Sequence, residues 1–318
     1  MKKWLIEHLI CPECVATHCS DKSPLKVNAQ QENDLEVIQG DLNCPQCGSS
    51  YAIKEGLAVL VPQDVRSRVM SKNGYNSKAM LNAYLWSHFS EFFNGADATD
   101  AYHRWADFFK KEDGGALDIG CSVGRLTLEL SKTHSWAVGI DTSFSFIQAA
   151  RKLMRDKRLV FNSVVEGRIT QPHTSDLDPD YRFDRTEFLV ADAMALPFRA
   201  ELFKTAASIN ILEKVSHPLR HLEETNRVLD KTKATFIFSD PFSWDESISH
   251  PDLWIGGRNN GPFAGRGMDN LCRMLESGNG VFTPGFSVRE KGKVHWKIRK
   301  TQNLYEQITS QFVIAERN

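Results

Sequence analysis

ALDIGCSVGRLTLEL, residues 116–130, is the stretch on which the fold turns. Ala116–Ile119 is short and apolar, as a strand buried on both faces must be. Gly120-Cys121-Ser122-Val123-Gly124 makes a tight turn, and Arg125–Leu130 opens a helix. Glycine lets the backbone approach a ligand closely, and the helix N-terminus offers free N–H groups beside it. The spacing is G-x-x-x-G, not the G-x-G-x-x-G of dinucleotide sites, so the acids that follow must decide which ligand the turn serves.

Working outward, each later apolar run ends on a polar residue. WAVGID (136–141) predicts a second strand ending at Asp141, 23 residues after Asp118. TEFLVAD (186–192) predicts a third, ending at Asp192 and followed by Ala193. FKTAASIN (203–210) predicts a fourth, ending at Asn210, and KATFIFSDPFSW (233–244) a fifth. LRHLEETNRVL (219–229) is an amphipathic helix between the last two, with His217 and His221 expected on the surface. A carboxylate at the second strand end accepts both ribose hydroxyls of an adenosyl cofactor. One at the third takes the adenine amino group, while its neighbour offers a backbone N–H to the ring.

This block resembles the class I S-adenosylmethionine-dependent methyltransferases over residues 80–318. The resemblance implies an α/β fold with a seven-stranded Rossmann-like sheet, closed by an antiparallel hairpin from VHWKIRKT (294–301) and SQFVIAER (310–317). It implies that Asp118 and Gly120 face the methionine end of the cofactor, Asp141 the ribose, and Asp192 with Ala193 the adenine. Cys121, Gly124 and Asn210 complete the expected cofactor set. Ser122 stands where the family turn carries a further glycine.

The N-terminal part has another chemistry. CPEC (11–14) and CPQC (44–47) are separated by 29 residues. Two such turns brought together offer four thiolates at the corners of a tetrahedron, which suits zinc. With Cys11, Cys14, Cys44 and Cys47 filling all four positions, the metal is expected to be structural. CGSSYAIKEGLAVLVP (47–62) then resembles the Trm112-like zinc-ribbon family through Tyr51, Ile53, Gly56, Leu57, Leu60 and Pro62, with Ala52 and Ala58 in place of two prolines. Members stand alone as methyltransferase activators or are fused to a methyltransferase. The expected division is a ribbon at 1–62, a linker or short exposed helix at 63–79, and the methyltransferase domain at 80–318. MLNAYLWSHFSEFF (80–93) carries helical spacing, and Tyr84 and His88 read first as packing residues, with cover over the site as the second reading.

Three segments resemble the C-terminal methyltransferase domain of ovothiol synthases, which N-methylates the imidazole of 5-thiohistidine. They are the insertion 157–187 with VVEGRIT, the stretch SDPFSWDESISHPDLWIGG (239–257), and the closing VHWKIRKTQNLYEQITSQFVIAER. Phe242 replaces the family tyrosine, which removes a hydroxyl. Near the carboxyl ends of strands four and five, Asn210, Asp240 and Trp244 are the expected catalytic group, with Glu213 and Trp254 beside them.

Composition limits the alternatives. Lys+Arg 39 against Asp+Glu 40 gives a net charge of -1, so the basic excess of a dedicated nucleic-acid binder is missing. No run approaches the ~18 apolar residues of a membrane span. The expectation is a soluble cytoplasmic enzyme using S-adenosylmethionine on a small imidazole or thiohistidine-like substrate, with no membrane partner. The competing readings are an RNA or protein methyltransferase that recognises its target through the ribbon, and a non-catalytic scaffold.

Overall fold

The computed structural model describes residues 1–19, 23–71, 74–93, 95, 97–278 and 280–317. The N-terminal part holds α1 (Lys3–Ile6), α2 (Pro12–Ala16), β1 (Lys26–Glu32), β2 (Val37–Asn43), β3 (Ser50–Lys54) and β4 (Leu57–Leu60). Then come α3 (Gln63–Val69), α4 (Lys78–Phe89) and α5 (Ala101–Ala106). The alternating part runs β5 (Glu112–Ile119), α6 (Arg125–Thr133), β6 (His134–Asp141), α7 (Phe144–Asp156), β7 (Arg158–Glu166), β8 (Ile169–Asp176), β9 (Thr186–Ala191), β10 (Phe203–Ile209), α8 (Pro218–Val228) and β11 (Ala234–Asp240). It closes with α9 (Gly267–Ser277), β12 (Ser287–Thr301) and β13 (Leu304–Arg317).

The central strands are parallel in the order β9-β6-β5-β10-β11, and β13 and β12 close the far edge antiparallel. All six residues of β9 are buried, the pattern of a strand covered on both faces. The chain leaves β5 for β6 on one side and returns through β10 on the other. The crevice of such a sheet opens at that reversal, beyond the carboxyl ends of the strands. Gly120 follows β5 there, and Asn210 follows β10.

The sheet differs from the expected seven strands. It has eleven, because β1-β2-β3-β4 continue it beyond β9. Val59 and Leu60 of β4 pair in parallel with Val190 and Ala191 of β9. One apolar core also spans the join: Leu5, Leu9, Leu42, Tyr51 and Ile53 belong to the same cluster as Leu117, Ile140 and Leu189. The fully buried Glu187 of β9 accepts the Lys2 N–H at 2.5 Å and pairs with Arg151 of α7. Insertion 157–187 forms the β7–β8 hairpin, with VVEGRIT at its turn. Among the described residues no helix is long and apolar enough to cross a membrane.

Five of the seven residues of α3 are exposed, as in a linker helix, but one edge of it is anchored. Val65 and Val69, one turn apart, are both buried. Asn76 pins the following chain to α7: its Nδ2 donates to Val69 O and Ser71 O, and its Oδ1 accepts from Ser143 Oγ and Ser145 N–H. His221 is likewise not on the surface. It is fully buried, with Nε2 2.8 Å from Ser208 Oγ, whereas His217 is exposed as expected.

Candidate active site

A cavity of about 820 Å³ lies at the carboxyl ends of the parallel strands. Gly120, Ser122, Asp141, Asp192, Ala193 and Asn210 line its floor. The roof comes from the segment expected to be a linker, with Val65, Arg68, Val69, Tyr75 and Asn76, and from Met80 and Tyr84 of α4. Tyr102 and, from the closing hairpin, Trp296, Ile298, Lys300, Glu306 and Ile308 form its walls.

The glycine turn is built by backbone constraint. Gly120 has φ +77°, and a Cβ there would meet Ile211 at 2.8 Å. Gly124 has φ +85°, and its Cβ would strike the Phe188 ring at 2.6 Å, so α6 packs onto the sheet only through glycine. Ser122 takes φ +51° at the position of the missing glycine. Its N–H donates to Asp141 Oδ2 at 3.0 Å, and the Ser143 N–H donates to Oδ1 at 2.7 Å. Each oxygen keeps a second lone pair for a ribose hydroxyl. Burial pushes the Asp141 carboxyl up to about 6, so at pH 7 it remains mostly ionised. Asp192 accepts the Met194 N–H at 2.9 Å, and burial raises its pKa as well.

Not every expected cofactor residue reaches the cavity. Asp118 is 1% exposed and lies behind the turn, accepting the Thr127 hydroxyl at 2.7 Å. Burial pushes it up to about 7. Cys121 is buried behind the lining, and Gly124 serves packing. The lined cradle, two free carboxylate edges and the volume suit an adenosyl cofactor.

Of the expected catalytic residues only Asn210 lines the cavity. Asp240 is fully buried one layer below. Its Oδ1 accepts the Phe242 N–H at 2.7 Å, and its Oδ2 has no partner among the described residues. Burial, and then the charge of Glu213, push it up to about 8. Trp244 lies outside the lining and stacks on Trp254 at 5.7 Å, bracing the loop after β11. Glu213 does line the cavity. It is 2% exposed, with Oε2 accepting the Ser243 hydroxyl at 2.7 Å and Oε1 paired with Lys214 at 2.8 Å. Tyr84 lines the roof, while the fully buried ring of His88 stands behind it, stacked on Tyr102 at 3.7 Å.

Sequence reading missed Arg68, Tyr75, Tyr102 and Trp296. The signal for the first two was the apolar Val65/Val69 pair and the lone Tyr75 in a polar stretch. For Trp296 it was the i, i+2 spacing with Ile298 on β12.

A second cluster joins Cys11, Cys14, Cys44 and Cys47, whose sulfurs all lie within 4.8 Å of one another. Cys11–Cys47 is 3.6 Å and Cys14–Cys44 is 3.7 Å. A tetrahedral zinc with sulfurs at ~2.3 Å needs edges of ~3.8 Å, so this donor set fits the metal. Glu13, between the first two cysteines, caps α3 by accepting the Gln63 N–H at 2.8 Å. Tyr51 Oη lies 3.1 Å from Cys11 Sγ, and Arg66 of α3 sits over the Tyr51 ring.

Residues 117–237 match the family profile described as a methyltransferase domain. No curated protein matches the chain. Solved structures with a similar fold include a SAM-dependent methyltransferase from Methanosarcina mazei, 18% identical over 67% of this chain and 96% of that one, with a TM-score of 0.42. Another, from Aquifex aeolicus, is 15% identical over 76% and 99%, with a TM-score of 0.44. A chain from a complex containing the Haloferax volcanii Trm112 methyltransferase activator is 15% identical over 74% and 94%, with a TM-score of 0.43. The matched stretch begins in β5 and ends in β11, and so takes in the glycine turn and all three strand-end positions: this chain carries a class I S-adenosylmethionine-dependent methyltransferase domain.

Proposed function

We propose that the protein N-methylates a small imidazole-bearing, thiohistidine-like substrate, and that the four cysteines hold one structural zinc. The observation that carries the substrate class is the roof. Helices α3 and α4 and Tyr75 lie over the strand ends, and the cavity beneath is walled by Tyr84, Tyr102 and Trp296. An aromatic enclosure of this size suits a small ring better than a polymer strand. Asp141 would hold the ribose, and Asp192 with Ala193 the adenine.

Bound S-adenosylmethionine supplies an electrophilic methyl group on a sulfonium. The residues of this chain then act mainly by positioning, since in-line displacement gains most of its rate from alignment. Glu213 accepts the N–H of the ring, which turns the lone pair of the other nitrogen toward the methyl carbon. Displacement at that methyl would leave the electron pair of the carbon–sulfur bond on the cofactor's sulfur, so this chain has only the ring proton to manage. The surplus ring proton leaves to Glu213 or to water. Tyr84, Tyr102 and Trp296 keep the ring in plane and exclude water.

The test is turnover of S-adenosylmethionine with a panel of histidine derivatives, read as a methyl gain by mass spectrometry. Methylation of 5-thiohistidine or a close analogue is expected. Absence of turnover on every imidazole, together with salt-sensitive RNA binding, would replace this reading with a macromolecular one.

A further inference from the structure

We infer that Ser310 and Trp296 fix the hydrogen-bonding polarity of the site, so that Asn210 offers its ligand a donor and not an acceptor. An indole N–H only donates, and Trp296 Nε1 lies 3.0 Å from Ser310 Oγ. Ser310 Oγ therefore accepts from Trp296, and its own proton must go elsewhere. The other close partner is Asn210 Oδ1 at 2.6 Å, which takes that proton. The amide oxygen is thereby committed, and the amide nitrogen is the end left for the cavity. Asn210 lines that cavity, and its buried Nδ2 has no partner among the described residues.

The relay is held rigidly. Ser310 is fully buried and Trp296 nearly so. Asn210 itself takes φ +58°, a conformation that few residues besides glycine accept and asparagine tolerates best, and its N–H donates to Ser239 O at 2.6 Å. A strained residue at a cavity wall, fixed by a chain of two donors, is a positioned group. Its complement is a lone-pair atom: a carboxylate, carbonyl or thiolate. An exocyclic amine, such as a nucleobase presents, would place donor against donor. The site therefore selects an acceptor-bearing ligand, either the carboxylate of the cofactor's methionine end or an acidic group of the methyl acceptor. The second choice rests on the imidazole amino-acid reading above; the polarity itself does not.

Three readouts test this. The first is hydrogen exchange of the Trp296 indole N–H by NMR, expected to be slow in the wild type and in Asn210→Asp, and at least tenfold faster in Ser310→Ala. The second is S-adenosylhomocysteine affinity by calorimetry. The third is 5-thiohistidine affinity with S-adenosylhomocysteine saturating. Asn210→Asp turns an acceptor into the cavity and should weaken the second or the third by tenfold or more. Loss in the second assigns the contact to the cofactor, and loss in the third alone assigns it to the methyl acceptor. Trp296→Phe keeps an aromatic ring without the N–H, frees Ser310 to reverse its proton, and should weaken the same step about threefold, which keeps the idea testable should Ser310→Ala fail to fold. Unchanged affinities in Asn210→Asp, or fast indole exchange in the wild type, would overturn the assignment. Should the wild type ignore 5-thiohistidine, the imidazole reading fails while the first two readouts still decide the polarity.

Discussion

Leu60, the last residue of β4, pairs in parallel with Ala191, the residue before Asp192. The cysteine-rich segment thus hydrogen-bonds to the strand that presents the expected adenine acceptor. Two further links run the same way: Glu13 caps α3, and Arg66 sits over Tyr51, which touches Cys11. Removing the metal is therefore expected to reach the cofactor cavity. Chelation or Cys44→Ser should lower the melting temperature in one cooperative transition and weaken S-adenosylhomocysteine binding several-fold. Metal analysis should find one zinc per chain in reduced protein. Full cofactor affinity in a zinc-free sample, with the N-terminal strands unfolded, would show the two parts to be independent.

Asp141 should account for a large share of cofactor binding. Asp141→Ala removes the acceptors of the ribose diol and leaves the Ser122 and Ser143 N–H groups unpaired. A lost charged hydrogen bond costs ~1.5–3 kcal/mol, or about tenfold or more in Kd. Because burial pushes the carboxyl up to about 6, wild-type affinity should fall as pH drops below that value. Asp141→Asn should bind weakly with no such dependence. Calorimetry between about pH 5 and 8 separates the two.

Asp240 makes stability pH-dependent in the opposite sense to a paired surface acid. Its folded pKa near 8 exceeds the ~3.9 of an unfolded aspartate. Between those values the folded state holds a proton that the unfolded chain has released, so stability falls as pH rises through the window and levels off above it. Asp240→Asn is neutral throughout and should remove this contribution. The variant is expected to gain on wild type by ~1 kcal/mol or more at pH 8 relative to pH 5. Urea unfolding at both pH values reads the difference, and Asp118 and Asp141, common to both proteins, cancel from it.

Gly124→Ala should be the most damaging small change in the turn. It meets both a left-handed φ and the Phe188 ring at 2.6 Å. A loss of roughly 2–4 kcal/mol is expected, read as a large drop in denaturation midpoint. A near-neutral result would mean that α6 shifts freely on the sheet.

What the sequence determined by itself is what short stretches of chain encode. The glycine turn, the acids closing successive apolar runs and the paired Cys-x-x-Cys spacing are all local, because a strand end or a metal knuckle is built from neighbouring residues. Those features put Asp141, Asp192 and Asn210 along one cavity and the four cysteines in one cluster. Tertiary structure decided the rest. The pairing of β4 with β9 makes an eleven-stranded sheet of what read as a seven-stranded sheet and an appendage. The polar stretch after Pro62 became a cavity roof because Val65 and Val69 found a core to bury against. Asp118 and Asp240 are, like Asp141, acids at or near the carboxyl ends of strands, and packing sets them behind the lining. His221 read as a surface residue, but packing buries it and sets its Nε2 against the Ser208 hydroxyl of β10. Most sharply, Asn210 was legible as a strand-end residue, but the polarity inferred for its amide in the cavity was not. That choice is made by Ser310 and Trp296 on the closing hairpin, brought to Asn210 only when the sheet assembles, and hydrogen-bond polarity is a property of the whole relay.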